Sequence, residues 1–210
     1  MDLKQLEHEF EMLGEKIVTK DIDRLNKRLI KEKVDVSFLK DIVLENQRYH
    51  RTYFQVSLGQ MKTIEEQFEF IEDNFHNLND WWHVDQLTQF IKPIPLDYAY
   101  NKAKEYVNHP WSFARRWGYV LFMPVLCKNI EAFDLITSLF HNDLEYYVVM
   151  AEAWLISYLG IYFPAQTEKY LSKCKLDYSI VGKAIQKICD SFRINDEWKT
   201  RFKELRKKYK

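Results

Sequence analysis

Turn-forming residues are scarce in this chain: five Gly and five Pro serve 210 residues. A chain so poor in punctuation needs long elements and short connections, which favours helices. No stretch alternates apolar and polar residues as a half-buried strand does. Apolar residues instead recur at three- and four-residue spacing, as in Leu3, Leu6, Phe10, Leu13 and Ile17. With 47% hydrophobic and 30% charged residues the chain is globular rather than disordered. The expected fold class is all-α, with about ten to twelve helices. Antiparallel helix pairs laid side by side bury such faces economically, so the expected architecture is an α-solenoid or superhelix. No strict period runs through the sequence, so any repeats are degenerate. A compact helical bundle is the alternative.

Taken in order, the pattern gives an amphipathic helix over 2–18 and a second over 21–31. Asp35 can cap a third carrying Phe38, Leu39, Ile42 and Val43, followed by a short segment around Phe54–Leu58. Thr63 with Glu66 three residues on is a capping-box signature, opening a helix with Phe68, Ile71 and Phe75 inward. A helix over 79–91 comes next, then a break at Lys92–Pro95 and a helix over 96–107. Pro110 marks the first position of a helix whose core stripe is Phe113, Trp117, Val120 and Leu121, and Pro124 kinks or ends it. Residues 129–140 and 145–162 form the next pair, and the second is apolar nearly all round, as a central buried helix is. Pro164 opens a short helix, and two basic amphipathic helices, 177–192 and 196–209, complete the chain.

Composition also excludes. No apolar run reaches the ~18 residues of a membrane span. The start, MDLKQLEHEFEML, is charged and lacks a signal-peptide core. Cys127, Cys174 and Cys189 form no CxxC pair, which reads as reduced, packed thiols in an intracellular, cytoplasmic protein. No metal-ligand spacing joins Cys and His, so neither metal nor cofactor is expected. Lys and Arg balance Asp and Glu at 31 each, which argues against a generic nucleic-acid binder. The balance is uneven, however. Residues 1–168 hold 18 basic and 26 acidic side chains, and residues 169–210 hold 13 and 5. A basic last quarter can make a local anion-binding face, or it can be a solvated terminal helix.

The chemically suggestive stretch is Asn79–Ile91, read NDWWHVDQLTQFI. Asn79 or Asp80 can cap it, and Val84, Leu87 and Ile91 give it a core stripe. Trp81 and Asp85 are four apart, so a helix sets the indole over the carboxylate. An acid beside a large aromatic suits a cationic group that stacks on the indole. A half-buried tryptophan with a solvated aspartate one turn on is the plainer reading. Trp82 and His83 project away from the stripe, as groove contacts or as surface. Trp111 and Trp117 are expected in core or inter-helix packing.

Three segments together resemble one family: LNDWWHVDQL (78–87), HPWSFARRWGYVLFM (109–123) and YYVVMAEAWLISYL (146–159). Their order and spacing are similar to those of the AlkD-type DNA alkylation-repair glycosylases, built of degenerate HEAT-like helix pairs. The tail GKAIQKICDSFRI (182–194) resembles the family's basic C-terminal segment. One repeat domain over 1–210 is expected: N-terminal helices 1–33 outside the resemblance, a glycosylase-like core 34–195 and a basic helix 196–210. The resemblance implies that Asp85 is the catalytic aspartate, that Trp81 and Trp154 are walls of an aromatic cleft, and that Arg116 holds a backbone phosphate. The alignment can slip to Arg115, but the helical projection sets Arg116 beside the core stripe and Arg115 on the far side. Lys183, Lys187 and Arg193 are secondary phosphate contacts, and Arg48 and Arg51 either reach phosphates or are plain surface charge. The sequence reads Trp82-His83 where a carboxylate often follows the family's tryptophan pair.

The chemistry makes sense of these residue types. A purine alkylated at N7 or N3 is cationic and leaves without a general acid, so the sugar oxocarbenium ion is what needs stabilising. One carboxylate does this by charge and also orients the attacking water. Two indoles hold the cationic base at ~0.5–2 kcal/mol each. The implied activity is hydrolysis of N7-methylguanine or N3-methyladenine from duplex DNA in base excision repair, by a monomer that associates with the nucleoid when bound to DNA. The alternatives are a non-catalytic binder of branched or distorted DNA and a protein-interaction scaffold.

Overall fold

A computed structural model describes residues 1–123 and 125–209. Among these residues there are twelve α-helices, short 3-10 turns and no strand. The chain divides into two compact units, Met1–Ile94 and Pro95–Lys210. Each is built of packed helix pairs, the construction expected of an α-solenoid.

The first unit holds α1 (Leu3–Met12), α2 (Thr19–Lys31), α3 (Gln47–Gln60), α4 (Ile64–Asp73) and α5 (Trp81–Asp85). Helix α1 stops well short of the expected residue 18, because Gly14 takes φ +96°, a left-handed conformation that glycine adopts at no steric cost. Asp35 caps no helix: its carboxylate accepts from Ser37 N and Oγ, closing a 3-10 turn over Ser37–Leu39. The helix of this region is α3, which runs through the positions assigned to a short segment and packs along α2. Thr63 and Glu66 form the expected capping box of α4.

The second unit holds α6 (Leu96–Tyr106), α7 (Ser112–Val120), α8 (Ala132–Thr137), α9 (Tyr146–Tyr162), α10 (Pro164–Leu171), α11 (Tyr178–Asp190) and α12 (Asp196–Lys207). Helix α9 is its axis, with α7, α10 and α11 packed around it. Ten of its residues are buried on several faces, matching a sequence apolar nearly all round. Gly160 lets α11 lie close: a Cβ there would run into the Ile188 side chain. Helix α7 begins after Pro110, with Trp111 at its cap, and ends at Val120; Pro124 lies outside the described residues. Trp117 is fully buried as expected, whereas Trp111 is 42% exposed, because it precedes the helix and leaves the core stripe.

Candidate functional site

In the first unit the expected Asn79–Ile91 helix is a five-residue α5 that tightens into a 3-10 turn over Gln86–Gln89. Asp80 is its cap, accepting from Trp81 N at 2.7 Å. Val84 and Leu87 are fully buried and anchor the segment. That anchoring turns Trp81, Trp82 and Asp85 into an open cleft of about 760 Å³, across from Arg48 and Arg51 of α3. Trp81 remains 48% exposed, so a large ring face is open to a ligand. Trp81 and Asp85 share this cleft, and half-buried Trp82, read from the sequence as groove contact or surface, lines it with them.

A buried polar chain fixes this segment to α3. The Arg51 guanidinium clasps Asp23 (Nε to Oδ1 2.7 Å, Nη2 to Oδ2 3.1 Å) and donates to Gln86 Oε1 at 3.0 Å. Gln86 Nε2 lies 2.8 Å from His50 Nδ1, and His50 Nε2 lies 3.1 Å from the Asn77 carbonyl. Only an Nε2–H tautomer satisfies both contacts, so His50 is neutral. His83, expected to face outward, is 6% exposed and stacks on His50 with centroids 3.6 Å apart. Burial, and then the neighbouring His83, push His50 down to about 3; burial pushes His83 down to about 4 against the pull of Asp80. Burial is the main reason that both rings are neutral, and the stacked geometry adds a smaller penalty on charging His50. Arg51 is therefore 8% exposed and ion-paired, not surface charge, while Arg48 lies 5.8 Å from the Phe10 ring.

In the second unit, Arg115 and Arg116 part company differently from the helical projection. Arg115 is not on a solvated far side: it grips Asp143 with two nitrogens, at 2.6 and 3.2 Å, and donates to the His109 carbonyl. Burial, the largest single influence, would raise the Asp143 carboxyl, but the Arg115 hydrogen bonds, the Glu145 amide and the nearby positive charge together hold it below the usual range. Arg116 is 4% exposed and donates to the Tyr147 carbonyl at 2.6 Å. Trp154, on α9, lines a second cleft of about 620 Å³ with Tyr158, Lys187 and Arg193. Lys183 is half-buried on α11 and outside that lining. Sequence reasoning passed over Tyr158 and Tyr162, although their four-residue steps from Trp154 were the available signal.

Arginines and lysines set beside half-exposed aromatic rings, on an all-helical scaffold, are the make-up of a nucleic-acid-binding protein. The chain matches the family described as DNA alkylation repair enzyme over residues 3–188, and it belongs to that family. The match begins at Leu3, so it includes α1 and α2, which the motif resemblance had set outside the core. No curated protein and no solved structure matches the chain. Among the described residues no helix is long and apolar enough to cross a membrane, and no group of three or more His, Cys, Asp or Glu is placed to hold a metal.

Proposed function

We propose that the protein is a monofunctional DNA glycosylase that hydrolyses the N-glycosidic bond of cationic alkylpurines, N7-methylguanine and N3-methyladenine, in duplex DNA. The observation that carries this reading is the sharing of one open cleft by Trp81, Asp85 and Arg48 in a chain of the DNA alkylation repair family. Asp85 stabilises the oxocarbenium-like sugar by charge and orients the attacking water. Trp81 offers its exposed ring face to the cationic nucleotide. Arg116, whose guanidinium is oriented by the Tyr147 carbonyl, is assigned the backbone phosphate on the family resemblance. The leaving base is already positively charged, so no general acid acts on it. No lysine is assigned as a Schiff-base nucleophile, so the strand is left uncut.

The test is an incubation with methylated duplex DNA, read as free bases by chromatography. Release of N7-methylguanine is expected, with Asp85→Asn slowing it roughly 10²–10³-fold, the scale of losing one electrostatic stabiliser. An unchanged thermal melt of the variant establishes that the loss is chemical. Salt-sensitive binding of the methylated duplex with no base released overturns the reading in favour of a non-catalytic DNA binder.

A further inference from the structure

The outer face of α9 carries more than Trp154. Tyr158 and Tyr162 follow at four-residue steps, with ring centroids 6.0 Å from Trp154 to Tyr158 and 6.1 Å from Tyr158 to Tyr162. The second pair is nearly parallel, at 21°. Arg193, just past α11, lies across both tyrosines, its Cζ 5.2 Å from the Tyr158 centroid and 5.9 Å from the Tyr162 centroid. Its Nη1 donates to Tyr162 Oη at 3.2 Å. Lys128 Nζ sits 5.7 Å from the Tyr162 ring. Phe192, beside Arg193, is 93% exposed and lines the Trp154 cleft with Lys187. Among the described residues Lys128, Lys187 and Arg193 make no ion pair, unlike Arg51, Arg115 and Arg201. One carboxylate, Asp190, lines the cleft, and it accepts from Gln186 Nε2 at 2.8 Å.

We infer that this face is a binding track for single-stranded DNA, distinct from the acid-bearing cleft of the first unit and needing no lesion. Unpaired cations beside a row of rings fit a polyanion whose planar bases are free to stack. A duplex offers such a surface phosphates but hides its base faces, so the rings select the unpaired strand. Arg193 is pre-positioned: its guanidinium, held beside Tyr158 and Tyr162 and donating one N–H to a phenol, keeps further N–H groups for a phosphate. Gly160 supports the arrangement, because the close approach of α11 to α9 brings Lys187 and Arg193 to the ring row.

The experiment is fluorescence anisotropy of the full chain with a labelled oligo-dT of about twelve nucleotides, within the span one such site covers. Salt-dependent binding is expected, weakened roughly tenfold by Phe192→Ala and by Arg193→Gln, the scale of one lost stacking partner. Phe192 is solvent-exposed, so its truncation leaves the fold intact; a circular-dichroism melt establishes the same for Arg193→Gln. The track is overturned if oligo-dT does not bind, if both variants bind like the parent, if unmodified duplex of equal length competes equally, or if oligo-rU binds more than tenfold better. Asp85→Asn is expected to keep the oligo-dT affinity. Base release without oligo-dT binding therefore overturns the track and leaves the glycosylase reading standing, and the converse result overturns only the latter.

Discussion

Arg51 carries a full set of charged and polar partners, and Arg193 carries only rings and a phenol. This difference decides which arginine serves the fold and which is available to a ligand. Removing a buried cation strands its partner: Arg51→Met leaves Asp23 and Gln86 without their donor and is expected to cost about 3 kcal/mol of stability. Arg48→Met, which loses only a contact with the Phe10 ring, is expected to cost about 0.5 kcal/mol. Urea denaturation of both variants at pH 7 checks the contrast, and equal losses refute it. The local sequence could not separate these two arginines, because the Asp23 partner of Arg51 lies 28 residues away and on another helix. Trp81 and Asp85 were legible as a pair because their relation is local: four residues, one turn, one face. The inward turn of His83 was not, since it depends on a ring of α3 brought against it from a distant position.

At the scale of elements, the sequence was most informative where the signal is a cap and least where burial surrounds a helix. Thr63 and Glu66 announced α4. Helix α3 hid itself: every residue from His50 to Val56 is buried, and His50, Arg51, Thr52 and Gln55 among them are polar, so polarity no longer marks an outer face and no period survives to be read. Helix α5 was read too long because periodicity ignores competing side chains. Thr88 Oγ1 donates to the Asp85 carbonyl at 3.0 Å, competing with the next intrahelical bond, and Arg51 holds Gln86 and Gln89 in the tighter turn. Helix pairing also sets opposing demands at Gly118, in the middle of α7. Alanine there gains about 1 kcal/mol of helix propensity. Its Cβ, however, would lie 2.9 Å from Val107 Cγ1 and 3.2 Å from the Val107 backbone nitrogen, at the end of α6. Overpacking costs about 1–3 kcal/mol and backbone cannot move aside, so the net expectation is destabilisation of about 1 kcal/mol. A lowered melting temperature for Gly118→Ala supports this close approach; a raised one shows that α6 gives way.

At the scale of the molecule, the two units are expected to answer pH in opposite directions. The first carries the neutral His50–His83 stack, pushed down to about 3 and about 4. Its unfolded chain binds protons below the ordinary histidine value near 6.5 that the folded unit refuses, so its stability is full above that value and is lost as pH falls. The second unit buries Glu152 completely, and its Oε1 accepts from the His141 amide at 3.0 Å. Burial pushes this carboxyl up to about 8, the amide only partly opposing it. Here the folded unit holds a proton that the unfolded chain releases above about 4.5, so stability is full below that value and is lost as pH rises toward 8. Each group contributes a slope of about 1.4 kcal/mol per pH unit within its own window. Between pH 6.5 and 5 the first unit is therefore expected to weaken while the second strengthens. Hydrogen exchange by mass spectrometry, corrected for intrinsic rates and followed in peptides from 47–60 and 146–162, reads the two trends separately. Glu152→Gln, a neutral mimic of the protonated acid, is expected to flatten the second trend and leave the first unchanged. Parallel profiles in the two peptides would refute the assignment of these titrations to separate units.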